Sequence, residues 1–214
     1  LSFGIEAVSP TLKEDWKAIP IEPLDVRLSS DKRSAQRSSG LVVEDCNFKG
    51  VLAGVGALGG TLAELWSKCG WGTWTYIDDD ILRGHNVIRH IGKDDHVGMS
   101  KVDVVGAMVS HNYFPGVETP NVIHSKINAA SNAKVTDALA EASILIDATT
   151  SLEAPRDLAE LDSTPRTASV FLTPSGQGSV LLLEDENRST RTSSLECQYY
   201  RAIINSDWGS HHLS

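Results

Sequence analysis

From residue 51 onward, short apolar runs alternate with stretches of helical periodicity. "VLAGVG", residues 51–56, is a brief apolar run ending in glycine, as a buried parallel strand reads. Leu58, Leu62, Leu65, Trp66 and Cys69 follow at helical spacing, and Gly70 is placed to cap that helix. "TWTYID" is rich in aromatic and β-branched residues and predicts the next strand. A second helix fits 98–110, with Val102, Val105 and Val109 on one face. "NVIHSKI" predicts a strand, and Ser131 is placed to cap a helix running through Ala142. "SILIDATT" (143–150) predicts a buried strand with a polar end. "APRDLAELD" predicts a short helix that tolerates Pro155 in its first turn. "ASVFL" and "GSVLLLE" predict an antiparallel hairpin across "TPSGQG", and "SSLECQYYRAII" a last helix.

The alternation of strands and helices predicts an α/β fold: a Rossmann-like, doubly wound, mostly parallel sheet with an antiparallel C-terminal portion. Residues 1–50 carry no such pattern. Prolines at 10, 20 and 23 and the polar "LSSDKRSAQRSSG" predict an N-terminal arm or linker over 1–40, ahead of one nucleotide-binding domain over 41–214. The chain begins at Leu1 and ends in "WGSHHLS" without a clear stop, so a fragment of a longer protein is expected.

The 214 residues, 41% of them hydrophobic, suffice for one sizeable core. A formal net charge of -9 argues against nucleic acid or an anionic membrane as partner. No apolar run approaches the roughly 20 residues of a membrane span. The three cysteines form no C-x-x-C pair, so neither a disulfide framework nor a zinc site is expected, and a cytoplasmic setting is the simplest reading.

The chemistry concentrates between 54 and 101. Gly54, Gly56 and Gly59 form G-x-G-x-x-G between a predicted strand and a predicted helix. There, glycines allow close approach to phosphate or ribose, and the helix N-terminus favours negative charge. Asp78 follows Gly59 by 19 residues at the end of the second strand, where a carboxylate can accept from ribose hydroxyls. "DDDILRGHNVIRH" then adds Asp80, a metal ligand or an anchor for a base, together with Asn86 and Arg89; Lys101 follows. A dinucleotide's pyrophosphate is usually held by the glycine loop and helix dipole, whereas a triphosphate attacked at its α-phosphate needs such cations. The plainer alternative pairs Arg89 and Lys101 with Asp94, Asp95 or Asp103 at the surface.

Taken together, "GVGALGG…IDDDILRGHNVIRH…VGMSK…LIDATTS" resembles the adenylation domain of the ubiquitin-activating-enzyme superfamily, whose bacterial members include ThiF and MoeB. The resemblance covers roughly 33–185, and the N-x-x-R-H variant is similar to proteins of bacterial ubiquitin-like or anti-phage conjugation systems. It implies an adenylyltransferase that uses ATP and Mg2+ to activate the C-terminal carboxylate of a ubiquitin-like or sulfur-carrier protein, working as a homodimer. Carried over by motif, Gly54, Gly56 and Gly59 line the adenosine side and Asp78 holds the ribose. Asn86, Arg89 and Lys101 contact the phosphates. A further arginine often comes from the partner subunit's arm in this family, with Arg37 the candidate and Arg33 second; a solvated surface charge is the equal alternative for either. The family's last D-x-T-D aspartate falls on Thr150, so either Asp80 or Asp147 carries the metal, or this subgroup handles it differently, or activity is impaired; for Asp147, capping the turn that follows it is the competing role. None of Cys46, Cys69 and Cys197 has an evident environment that would lower its pKa. Two alternatives stand beside this reading: an NAD-dependent oxidoreductase, for which no Tyr-x-x-x-Lys or His–Asp arrangement is found, and a degenerate adenylation fold that only binds.

Overall fold

The computed structural model describes residues 17–21, 30–112, 119–128 and 132–212. Six strands form one sheet: β1 (Lys49–Ala53), β2 (Thr73–Ile77), β3 (Asn121–Ile123), β4 (Ile144–Asp147), β5 (Arg166–Leu172) and β6 (Ser179–Leu183). Their order is β3-β2-β1-β4-β5-β6. All neighbours are parallel except β5 and β6, which pair antiparallel. This is the doubly wound sheet with an antiparallel C-terminal portion that the periodicity predicts. Chain order reverses between β2–β1 and β1–β4, which makes the carboxyl end of β1 the topological switch point.

Among the described residues, six α-helices accompany the sheet: α1 (Lys32–Ser38), α2 (Ala57–Cys69), α3 (Lys101–Ser110), α4 (Ala133–Glu141), α5 (Glu153–Glu160) and α6 (Thr192–Ile204). Successive strand residues face opposite sides. Leu52, Tyr76 and Ile146 therefore join Ala63, Val102, Val105 and Val109 in one core, while Val51, Ala53, Ile77 and Leu145 join Val135, Leu139 and Leu158 in the other.

Three local expectations change. The buried side of α2 is Gly59, Gly60 and Ala63, whereas Leu65 is exposed. The helix lies so close to the sheet that only small residues fit, which displaces the leucines from the innermost face. The cap of α4 is Asn132, whose side chain accepts from Lys134 N–H at 3.1 Å; Ser131 lies outside the described residues. β3 ends at Ile123, well before the end of "NVIHSKI".

α1 lies in the stretch predicted as an arm. Asp31 caps it, and its buried Gln36 donates to Gly70 O at 2.7 Å, at the C-terminal end of α2. At that same end Phe48, Trp66, Trp71 and Trp74 form an aromatic cluster, with Trp66 and Trp74 stacked at 4.5 Å between ring centroids. No helix among the described residues is long and apolar enough to cross a membrane.

Candidate nucleotide site

The carboxyl ends of β1, β2 and β4 are level, since Ala53 pairs with both Ile77 and Asp147. The next residues, Gly54, Asp78 and Ala148, therefore open together onto a cleft of about 510 Å³. That is within the range of small-molecule sites.

The three glycines have different jobs. Gly54 has φ +79, and a Cβ there would meet the Ala148 and Thr149 backbone at 2.7 Å. A Cβ on Gly59 would lie 1.8 Å from Gly54 O, so this glycine lets α2 close on its own loop. A Cβ on Gly56 would meet nothing within 4 Å. Gly56 thus faces open space, at the N-cap of α2, where no side chain caps the first turn. The leading N–H groups of that helix and its dipole favour an anion there.

Asp78 is fastened to this loop. Its Oδ2 accepts from Val55 N–H at 2.9 Å and its Oδ1 from Asp80 N–H at 2.8 Å. Burial raises its carboxyl pKa, against the opposing pull of those two N–H groups and Lys101. Each oxygen keeps lone-pair capacity for a hydroxyl.

The segment from 80 to 101 wraps the mouth of the cleft. Asn86 closes a short 3-10 turn, its Oδ1 accepting from Arg83 N–H at 3.1 Å, and its carbonyl receives the N–H groups of Arg89 and His90. Arg89 is exposed, lines the cleft and has no ion-pair partner among the described residues. Lys101, nearly buried, places Nζ 2.7 Å from Asp80 Oδ2. This contact lowers the Asp80 pKa. The surface pairing expected as the plainer alternative does not occur: Asp95 faces His96, Asp103 faces His124, and Lys101 turns inward to the cleft.

Asp147 is drawn elsewhere. It is 2% exposed. Its Oδ1 accepts from Thr149 N–H and Oγ1, at 3.1 and 2.7 Å, and its Oδ2 from Ser169 Oγ at 2.9 Å. Burial raises its pKa. It lines an adjoining cavity rather than the main cleft, and it caps the turn after β4, as its alternative role requires. Thr150, at the position of the family's missing aspartate, has φ +55 and lines both cavities. Among the described residues no group of three or more His, Cys, Asp and Glu is arranged to hold a metal unaided.

Arg37 does not line this cleft. It lies on α1 beside Lys68 and Asn112, at the opposite end of the roughly 20 Å of α2. Arg33 lies on the same helix. All three cysteines are free thiols, and burial raises the pKa of Cys46.

Two cleft residues escape a motif reading. Lys126, after β3, adds a cation near Asp80. His90 is 8% exposed and reaches back to the glycine loop, its Nε2 2.8 Å from Val55 O. The N-x-x-R-H pattern contains His90, but only the folded chain reveals its partner.

A parallel sheet with a glycine loop at its switch point and an acid one strand along defines a nucleotide-binding α/β domain. The ThiF family model matches residues 46–200, more than half of the chain, and the chain belongs to the ThiF family. No curated protein matches it. Solved structures similar in fold include E. coli MccB with ATP, at 19% identity and TM-score 0.51, covering 61% of this chain and 39% of that one. A second is E. coli tRNA N6-threonylcarbamoyladenosine dehydratase, TcdA, in complex with AMP, at 22% identity and TM-score 0.50, covering 59% and 51%. A third, TcdA (CsdL), has 23% identity and TM-score 0.52, covering 64% and 56%. The chain thus spans well under two thirds of these structures.

Proposed function

We propose that this domain is an adenylyltransferase that uses ATP to activate the terminal carboxylate of a ubiquitin-like or sulfur-carrier protein as an acyl-adenylate. One observation carries the reading: a single cleft sets a loop-tethered acid, Asp78, beside an uncovered arginine, Arg89, and the inward-turned Lys101. A sugar bearing hydroxyls at one end and several phosphates at the other suits that division. Family membership and the neighbours solved with ATP and AMP are in keeping with it.

In this reading Asp78 accepts from the ribose hydroxyls, and the Gly56 turn with the start of α2 meets the phosphates. Asn86, Arg89 and Lys101 offset the charge that builds as a carboxylate oxygen attacks the α-phosphate and pyrophosphate leaves. The attacking carboxylate is already ionised, so no general base is needed. The chain contributes positioning and positive charge. Mg2+ keeps several waters and takes one or two carboxylates besides phosphate oxygens, so Asp80 with the ATP phosphates suits it and the occupied Asp147 does not. Bound there, the ion would neutralise phosphate charge.

Arg37 enters this scheme only from a second subunit, so its role goes with a homodimer, and the setting is taken as cytoplasmic. E. coli MccB has been solved together with MccA, in keeping with a separate partner molecule here.

ATP–pyrophosphate exchange by the full-length protein with its cognate small protein tests the proposal. Exchange that depends on that partner and is lost in Arg89→Ala is expected. Nucleotide binding without exchange would favour a binding-only fold. Hydride transfer from NADH would favour the oxidoreductase.

A further inference from the structure

His90 holds two loops of the cleft at once. Its Nδ1 lies 2.9 Å from Gly92 N, and Gly92 N–H has to be the donor. Nδ1 is therefore the acceptor and the ring proton sits on Nε2, which donates to Val55 O at 2.8 Å. One neutral tautomer satisfies both contacts. An imidazolium cannot, because its Nδ1–H would face Gly92 N–H. Gly92 leaves room for the ring: a Cβ there would lie 3.0 Å from Nδ1.

The clamp has consequences on both sides. On the glycine loop, Asp78 takes Val55 N–H and His90 takes Val55 C=O, so this residue is fixed at both polar groups. The 55–56 peptide is planar, and Gly56 N–H points opposite to Val55 C=O. Turning that carbonyl toward His90 sends the Gly56 N–H away from the ring, and Gly56 itself lines the cleft. That N–H has no backbone acceptor among the described residues. On the other loop, the backbone N–H groups of Arg89 and His90 both donate to Asn86 O, so anchoring the His90 ring also anchors the chain that carries Arg89.

We propose that His90 is a positioning residue for nucleotide binding: its Nε2–H to Val55 O bond aims the Gly56 N–H donor and sets the Arg89 loop against the glycine loop. The proposal rests on the nucleotide reading above. It predicts that a side chain needs a donor toward Val55 O, not merely bulk. His90→Gln retains an N–H donor and His90→Leu removes it while filling the space.

The experiment is titration of the full-length protein and both variants with Mg-ATP, read by calorimetry, alongside thermal melting. His90→Gln should bind within a few-fold of the parent, and His90→Leu about tenfold more weakly, the size expected for one misplaced hydrogen-bond donor. Equal binding by His90→Leu and the parent, or equal loss in both variants, would overturn the role of His90. Failure of the parent to bind would instead strike the nucleotide reading itself. Should His90→Leu not fold, 15N spectra of the parent decide. The His90 ring should show the Nε2–H tautomer, and Mg-ATP should shift the Gly56 amide; an Nδ1–H tautomer or an unmoved Gly56 amide overturns the proposal. The charged and titratable groups around the ring are Asp78, Lys101 and His96, and burial holds the ring below the usual imidazole pKa. The parent should thus lose affinity only below about pH 6.5, a limb that His90→Gln lacks.

Discussion

Asp80 and Lys101, 21 residues apart in sequence, meet at 2.7 Å across the mouth of the cleft. Lys101 N–H also donates to Asp80 O at 3.0 Å, so backbone and side chain both tie the loop after β2 to the start of α3. A nucleotide would compete for both partners, phosphate for the ammonium and metal for the carboxylate. Lys101→Met is expected to lower pyrophosphate exchange about 100-fold. Asp80→Asn should keep the lysine but raise the Mg2+ concentration needed for half-maximal exchange. The Asp80 side chain is 64% exposed, so the ion pair adds little to stability. Its depressed pKa gives a stabilisation present above the unfolded value of about 3.9 and lost as pH falls below it. Between roughly pH 5 and 8, melting of Asp80→Asn should therefore run parallel to the parent with a small constant offset, which closes as pH falls below about 3.9.

Arg89 separates activity from stability most cleanly. It is exposed and makes no ion pair among the described residues, so Arg89→Ala should melt within about 2 °C of the parent. Exchange should fall by about 100- to 1,000-fold, as when a charge-stabilising donor is removed from a transition state. Unchanged exchange would remove Arg89 from the site.

The glycines should divide under alanine substitution. Gly59→Ala forces a methyl onto Gly54 O and is expected to cost about 3 kcal/mol, read by denaturant melting. Gly56→Ala meets no protein atom and should fold normally while weakening ATP binding. Equal nucleotide affinity in folded Gly56→Ala would place the phosphates elsewhere.

Asp147 tests capping against metal binding. Asp147→Ala strands the donors of Thr149 and Ser169 and should destabilise by about 3 kcal/mol. Asp147→Asn keeps an acceptor for Thr149 and should be tolerated near neutral pH, with exchange retained. Burial raises the Asp147 pKa, so the native state holds its proton more tightly than the unfolded chain does. The associated stability is full below about pH 3.9 and is lost as pH rises through the folded value. Asp147→Asn should flatten that decline in a pH series of melts.

The glycine loop, β1, β2 and Asp78 were legible because their signals are local: an apolar run, a turn and an acid at a fixed offset. The hairpin of β5 and β6 was legible for the same reason. The Asp80–Lys101 pair and the His90 clamp were not, since each joins residues 21 or more apart through the folded chain. The face of α2 was misleading for a related cause: leucine spacing marks a helix, but the distance to the sheet selects Gly59, Gly60 and Ala63 for its inner side. Asp147 sits on the predicted strand, yet which cavity it lines depends on Ser169, one strand over.

The stacked Trp66 and Trp74 lie at the end of the sheet away from the cleft, about one strand length from the nucleotide site. Two indoles so close should couple their electronic transitions and give a paired circular-dichroism band. That band is an internal optical gauge of the scaffold. It should fade on unfolding yet stay unmoved by ATP, so a variant's loss of binding can be told from loss of fold in the same sample.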